Sequence, residues 1–491
     1  MTATPHPQTV ELTAEVVVLG TGPAGMAAAS AAAGEGADVI AVEALDAIGG
    51  NCVWSTGYMA FVGSRMQTEQ GISDDVGVFV QDAARMVEEA GQQYGMTWDE
   101  DLVRLYAQES AETYDILTSR GVTYSRFIPR PSQHSIDRMA ATVDTWAFKR
   151  AFQPDFALPN VTTLYRSTAR SLTTDRAGAV TGVTVAAADG STIEVNARLG
   201  VVLATGGYQA NPELQQRYQP HFIARGPYLG VDTCRGDGHL MGQAVGGDLI
   251  NMTHVPPLII VSSSLVEDAI AVNVNGQRFE DEAGPYEARV ASLLEQPGRC
   301  GWYIFDATVA AEKASLVQQM PEPGVQADSL DELAASIGVP GDELDRSVSE
   351  WNEFLTGDSP QDPRTGRVIT PPQRRTCSTS PFTAVPMVVG VNFVSGGFRV
   401  TQDLQVINVF GNPIPGLYAA GDTLGGLAAT ADLGGTRIAA GFTLGRLAGR
   451  SAAEGRSDSR RRHSVQGAFL PSRLDTNVAL VHLNQVSGTS S

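Results

Sequence analysis

Apolar and polar positions change rhythm several times along the chain, and each change marks an element. Val16-Val17-Val18-Leu19 is a solid apolar run, which reads as a strand covered on both faces. Gly20-Thr21-Gly22-Pro23-Ala24-Gly25 breaks it, and an Ala-rich helix follows. Asp38 to Val42 is a second short strand. Apolar residues then recur at helical spacing over Asp74–Ala90 and Asp99–Arg120, predicting two amphipathic helices. Over 178–198 the period drops to two: Val180–Ala186 and Ser191–Val195 flank Asp189-Gly190, a hairpin turn. Leu199–Ala204 reads as a further buried strand, running into Thr205-Gly206-Gly207. Short mixed segments fill about 253–375 and end in proline-rich Ser359–Pro372. Residues 376–450 return to the glycine-rich style of the start. From Ser451 the chain is polar, with Arg460-Arg461-Arg462 and a Ser-rich end. The pattern predicts an α/β protein with an N-terminal extension (1–14) and a Rossmann-like cofactor domain in two parts (15–252 and 376–450). An α+β capping domain (253–375) is inserted between those parts, and a flexible tail (451–491) follows.

The glycine turn carries the first chemistry. Gly20 allows the sharp turn, Gly22 lets backbone approach phosphates, and Gly25 lets helix and strand pack closely. Free N–H groups at the helix start then face a pyrophosphate. Glu43, at the end of the second strand, can accept hydrogen bonds from ribose hydroxyls. Far along the chain, Gly416-Leu417-Tyr418-Ala419-Ala420-Gly421-Asp422 reads as another strand end arriving at the same ligand. One large cofactor gripped by both ends of the chain is the expectation, and the pattern points to FAD.

Composition narrows the partners. The net charge of −20 argues against nucleic acid and anionic membrane surfaces. The four cysteines lie far apart with no C-x-x-C pair, so no metal or dithiol centre is expected, and reduced thiols suit a cytoplasmic protein. Met1–Leu12 lacks the basic start and apolar core of a signal peptide, and no apolar run is long enough to span a bilayer.

Several motifs occur in a telling order. They are Gly20 to Glu43; Gly49-Gly50-Asn51 with Ser55 and Gly57; Ala204-Thr205-Gly206-Gly207; Gly236-Asp237-Gly238; and Asn273 to Phe279. Ser395-Gly396-Gly397 and Pro415 to Asp422 with Leu433-Gly434-Gly435 complete the set. In this the chain, over about 15–450, resembles the flavoproteins of fumarate reductase and succinate dehydrogenase. Within that group it is most similar to tricarballylate dehydrogenase and 3-ketosteroid dehydrogenases. The resemblance implies an extended FAD capped by the inserted domain. Gly20, Gly22, Ala24 and Gly25 would hold the pyrophosphate, Glu43 the ribose, and Ala169 the adenine. Gly50, Asn51, Ser55 and Gly57 would approach the flavin end, and Thr205, Gly206 and Asp237 the FAD channel. Gly421 and Asp422 would bind the ribityl region. Gly434, Gly435, Arg437 and Ile438 would begin a helix aimed at the flavin O2, with the Arg437 side chain itself uninvolved. The attachment histidine of covalent members is absent from Asn51-Cys52-Val53-Trp54-Ser55, so FAD is expected to be non-covalent.

Departures from the fumarate reductases fall on substrate positions. Their catalytic arginine becomes Tyr286, the dicarboxylate arginine becomes Asp432, a substrate histidine becomes Phe393, and the proton relay falls on Ser262 and Leu265. A dicarboxylate therefore reads as the wrong substrate. Tyr286 is similar to the tyrosine of 3-ketosteroid dehydrogenases and is the candidate acid or base at the α carbon; packing on the flavin is its competing role. Asp432 either meets a substrate hydroxyl or amine, or stabilises a helix start. His254 either faces substrate or sits in the core. Donors near Gly434, Gly435 and Thr436 would polarise a substrate carbonyl. Arg130 and His134 lie in the loop Pro129-Arg130-Pro131-Ser132-Gln133-His134, which either reaches the pocket or is solvated, the solvated loop being the favoured reading. The expected function is FAD-dependent dehydrogenation of a small ketone beside its carbonyl, with an unidentified electron acceptor. Ene reduction of an enone is the same chemistry reversed. An electron-transfer subunit and an NAD-dependent dehydrogenase are the readings from other classes.

Overall fold

The strand Thr9–Leu19 lies in the middle of an eight-stranded sheet. The computed structural model describes residues 9–455 except 95, 131–132, 219–227, 229, 255–257, 260–268, 283, 285, 313, 315–323, 369–374, 392 and 428–432. It also leaves out the side chains of 89–94, 258, 286 and 287. Across the sheet run Gln405–Ile407, Pro413–Ala419, Thr192–Leu203, Thr9–Leu19, Val39–Val42 and Val161–Leu164, with Val180–Ala186 and Thr168–Thr174 branching off. Val16–Leu19, wholly buried, pair in parallel with Val39–Val42 on one side and Gly200–Leu203 on the other. Leu417–Ala419 lie parallel beside Val201–Leu203. Strands from both ends of the chain thus deliver their carboxyl ends to one edge, where open α/β sheets bind ligands.

Two details differ from the pattern reading. The first strand starts inside the stretch read as an extension, because Thr9–Ala14 pair with Thr192–Ala197. The strands read as Ser191–Val195 and Leu199–Ala204 are one strand, Thr192–Leu203. The two helices expected after the glycine turn are present as Val76–Tyr94 and Glu100–Ser119, the second capped by Asp99 accepting the Leu102 N–H.

The helix that follows the glycine turn, Pro23–Gly34, crosses the last helix, Thr436–Glu454, at very short range. Gly441, Gly445 and Gly449 recur every fourth residue and so share one face. A Cβ added to Gly445 would stand 2.3 Å from the Ala24 carbonyl oxygen, and one added to Gly449 2.1 Å from that of Ala28.

A second, four-stranded antiparallel sheet runs Ile270–Asn273, Gly301–Phe305, Phe382–Pro386, Val325–Ala327. Strand alternation feeds two cores. Ile270, Val272, Ile304 and Ala384 pack with Leu344 and Trp351, while Ala271, Tyr303, Phe305 and Val385 pack with Val290 and Leu293. Phe382–Pro386 lies beyond the expected 375 boundary, yet it is an inner strand of this sheet.

Gly445→Ala should destabilise the protein by about 1–3 kcal/mol, since backbone rather than a flexible side chain blocks the new methyl. Gly34→Ala, with open space at its Cβ, should be neutral or stabilising by up to about 1 kcal/mol. Urea unfolding of the two variants checks the contrast; equal effects would remove the close-approach argument.

Candidate active site and cofactor cavity

Three helices aim glycine-capped N-termini at the edge formed by the parallel strands. Pro23–Gly34 is preceded by Gly22, Asp237–Ala244 by Gly236, and Thr436–Glu454 by Gly435. None has a side-chain cap. Their first-turn N–H groups therefore have no intrahelical partner and present positive ends to whatever lies before them.

What lies before them is a cavity of about 300 Å³. Gly20, Gly22 and Ala24 line it from the glycine turn, and Glu43 from the next strand end. Gly50, Asn51 and Ser55 come from the tight turn Gly50–Trp54 and its exit. Ala169, Thr205, Gly206 and Asp237 form another wall, and Gly421, Asp422, Gly434, Gly435 and Ile438 close it from the far end of the sequence. Gly25 and Gly57 stand behind the lining. A Cβ on Gly25 would lie 1.8 Å from the Gly20 oxygen, and one on Gly57 2.8 Å from Thr145 Cγ2.

The cavity fits a dinucleotide. Gly20, at φ 89°, has no room for a side chain because Ala204 O would be 2.5 Å from its Cβ. Gly22 is the opposite: nothing lies within 4 Å of where its Cβ would be, so the backbone is bared toward open space. That is a cradle for phosphate before an uncapped helix. Glu43 is buried, and its carboxylate is fixed from two sides. Oε2 accepts the Thr21 N–H at 2.8 Å and the Thr21 hydroxyl at 2.5 Å, and Oε1 accepts the Leu45 N–H at 2.8 Å. Oε1, with one bond made, keeps acceptor capacity for a ribose hydroxyl. Asn51 Oδ1 accepts the Val231 N–H at 2.8 Å, and its amide donates to the Tyr228 hydroxyl at 2.8 Å. The Cys52 thiol is buried, donates to Gly49 O at 3.0 Å, and has its pKa pushed up by desolvation, which suits a cofactor held without a covalent bond.

Arg437 departs from expectation. Its side chain forms part of the wall. Its guanidinium lies 3.9 Å from the Phe393 ring centre, donates to Val394 O at 2.6 Å and Ser395 Oγ at 3.0 Å, and sits 3.6 Å from Asp422. Burial raises the Asp422 pKa, and Arg437 counteracts it. The phenyl ring at the position of the relatives' histidine thus carries a cation on its face. His254 is buried behind this wall, where its carbonyl accepts the Ser395 N–H at 3.2 Å. Burial and the Arg437 charge lower its pKa to about 4, so it is neutral at ordinary pH.

The described polar residues of the 129–134 loop are also buried. Arg130, Gln133 and His134 are all under a tenth exposed. Gln133 Oε1 accepts the Gly434 N–H at 2.9 Å, and His134 Nε2 lies 2.9 Å from Gly434 O. Thr436 directs its hydroxyl to Leu433 O at 2.7 Å. Gly434 and Thr436 are therefore engaged within the protein, and the Gly435 N–H is the donor left from the expected set. Tyr286 begins the helix Tyr286–Glu295, but its side chain and the whole of Asp432 lie outside the described residues.

Fold and cavity together define an FAD-dependent oxidoreductase. The chain belongs to the FAD binding domain family, whose match spans residues 15–438. It is 30% identical over 463 residues to the probable fumarate reductase Ifc3 of Shewanella frigidimarina, covering 90% of this chain and 75% of that protein. The open conformation of a flavocytochrome c3 fumarate reductase is similar in structure, with a TM-score of 0.69 and 29% identity over 90% of this chain and 78% of that one. So is 3-ketosteroid-Δ4-(5α)-dehydrogenase from Rhodococcus jostii RHA1 in complex with 4-androstene-3,17-dione. Its TM-score is 0.64 and its identity 26%, over 90% of this chain and 97% of that one. Among the described residues no helix is long and apolar enough to cross a membrane, and no cluster of metal ligands occurs.

Glu43→Gln should raise the FAD dissociation constant about tenfold, the loss of one charged hydrogen bond, read by fluorescence titration of the FAD-free protein. An unchanged constant would take the ribose role from Glu43. His239, at the cavity helix Asp237–Ala244, is buried with Nε2 3.1 Å from Gly396 O, and burial lowers its pKa to about 4. Unfolded chains take up this proton near pH 6.5, while the native state refuses it until about pH 4, so the stabilisation is complete above pH 6.5 and fades below it. The stability lost in His239→Gln should therefore be largest above pH 6.5 and shrink by roughly 3 kcal/mol on going to pH 4, by urea unfolding across that range. A difference independent of pH would contradict a neutral His239.

Proposed function

We propose that this protein oxidises or reduces a carbon–carbon bond next to a carbonyl, with desaturation of a small ketone as the favoured direction. The observation that carries this reading is a cavity assembled from both ends of the chain, walled by Gly20, Gly22, Glu43, Asp422, Gly434 and Gly435. Bound there, FAD supplies a hydride acceptor or donor at flavin N5. The chain supplies the proton and the polarisation. Tyr286 is the group that exchanges the α proton. A free phenol has a pKa of about 10, so Tyr286 can act as the acid directly and as the base with the help of a neighbouring group. The Gly435 N–H, at the start of the last helix, would polarise the carbonyl and acidify the α carbon. Asp432 stands two residues before the Gly434-Gly435 pair and would meet a hydroxyl or amine of the substrate. His254, neutral behind the wall, would hold the Ser395 backbone through its own carbonyl.

Likeness to a ketosteroid dehydrogenase supports the oxidative direction. Likeness to a probable fumarate reductase favours the second reading, ene reduction. A screen separates them: saturated cyclic ketones with an artificial electron acceptor, then the matching enones with a reduced dye. Turnover in the first arm supports desaturation; turnover confined to the second makes the protein a reductase. On whichever substrate turns over, Tyr286→Phe should lower kcat about 100- to 10,000-fold with the yellow FAD spectrum retained. Normal turnover would remove Tyr286 from the mechanism.

A further inference from the structure

A buried ionic cluster stands directly behind the cavity wall. Arg138 is fully buried, with Nε and Nη2 on Asp74 at 2.9 and 2.8 Å and Nη1 on Asp82 at 2.6 Å. The same Nη1 lies 3.2 Å from His134 Nδ1. A guanidinium only donates, so Nδ1 must accept, and the proton of the neutral ring must sit on Nε2. Burial and Arg138 keep the ring neutral, with a pKa of about 4. Nε2–H therefore donates to Gly434 O at 2.9 Å. From the neighbouring residue, Gln133 Oε1 takes the Gly434 N–H at 2.9 Å. Both polar atoms of one cavity-lining peptide residue are held by adjacent side chains.

Packing completes the grip. A Cβ on Gly434 would lie 2.9 Å from Met139 Sδ and 3.0 Å from Gln133 Oε1. Gly435 sits at φ 78°, and its carbonyl accepts the Ala60 N–H at 2.9 Å. The helix Thr436–Glu454 starts at once after this clamp, so the direction of its N-terminus into the cavity follows from where Gly434 is held.

We propose that His134 and Gln133 are positioning residues that clamp Gly434 and thereby set how the N-terminus of the last helix faces the FAD cavity. Arg138 with Asp74 and Asp82 selects the His134 tautomer that can donate. An ionic cluster of this kind is a costly way to stabilise a fold, since taking its charges out of water offsets much of their mutual attraction. Its geometry instead fixes one hydrogen at one place. The clamp holds for either direction of the reaction and for any substrate, so its test does not depend on the substrate reading.

The test uses FAD-loaded full-length protein. His134→Leu removes the donor, and His134→Gln restores one through its amide while still accepting from Arg138. Amide hydrogen exchange in peptides covering 433–440 should quicken about tenfold in His134→Leu, the loss of one buried hydrogen bond. The FAD midpoint potential should move to more negative values, because a loosened helix terminus stabilises the reduced cofactor less. His134→Gln should return both readings most of the way to those of the parent. Gln133→Ala, which leaves the ionic cluster intact, should reproduce the faster exchange. Parent-like exchange and potential in folded His134→Leu would overturn the proposal, as would a His134→Gln no better than His134→Leu. Failure of both His134→Leu and Gln133→Ala to fold would also overturn it, by making the pair structural only.

Discussion

Backbone must approach backbone where the two ends of this chain meet, and the rest of the structure follows from that requirement. The Ala204 oxygen leaves no space for a side chain at Gly20, and the Gly20 oxygen leaves none at Gly25. Pro23–Gly34 and Thr436–Glu454 can cross only because Gly445 and Gly449 expose bare backbone to Ala24 and Ala28. With ordinary side chains at these points the last helix would sit farther out. Its start at Gly435 would then leave the cavity, and the cavity would lose the wall contributed by the far end of the sequence. Interiors this dense cannot absorb an added methyl by local give, so the constraint reaches from the helix crossing to the site.

Electrostatics follows from the same arrangement. Bringing the strand ends together also brings three helix N-termini together, each without a side-chain cap. A converging set of positive helix ends is unfavourable in an apolar hollow and favourable around an anionic cofactor. Two of the carboxylates at this edge are held by N–H groups or an arginine: Glu43 by Thr21 and Leu45, and Asp422 by Arg437. The cofactor and the fold therefore depend on one another.

Local signals showed in the sequence; distant partnerships did not. The glycine turn, the Glu43 position and the Asp189-Gly190 hairpin were legible because each is decided by neighbours within a few residues. Thr192–Leu203 was read as two strands because its surroundings change midway. Its first half pairs with the antiparallel Val180–Ala186 and alternates in burial, while its last four residues are solidly buried among parallel strands. Pro129-Arg130-Pro131-Ser132-Gln133-His134 looked like a solvated loop on composition. Arg130, Gln133 and His134 are nevertheless buried, and Asp74 and Asp82, on a preceding segment and its helix, receive the nearby Arg138. No periodicity within the loop announces that pairing. The Arg437 side chain reads as uninvolved because a lone arginine after Gly-Gly has no local reason to turn inward. Phe393 and Asp422 provide the reason, one from each side of a chain reversal.

The Arg437–Asp422 pair also bears on substrate charge. The resemblance places a cation immediately before Leu433-Gly434-Gly435, and this chain has Asp432 there. Arg437 returns a cation on the other side of the same pair of glycines. That cation is not equivalent. It lies 3.6 Å from Asp422 and over the Phe393 ring, so much of its field is spent within the wall. An anionic group would have to compete with Asp422 for it. A neutral carbonyl faces no such competition, because a hydrogen bond from a backbone N–H needs no net charge to work. The wall cation here is thus already engaged with an acid and a ring, and it stands on the other side of the glycine pair from the position where the resemblance places one.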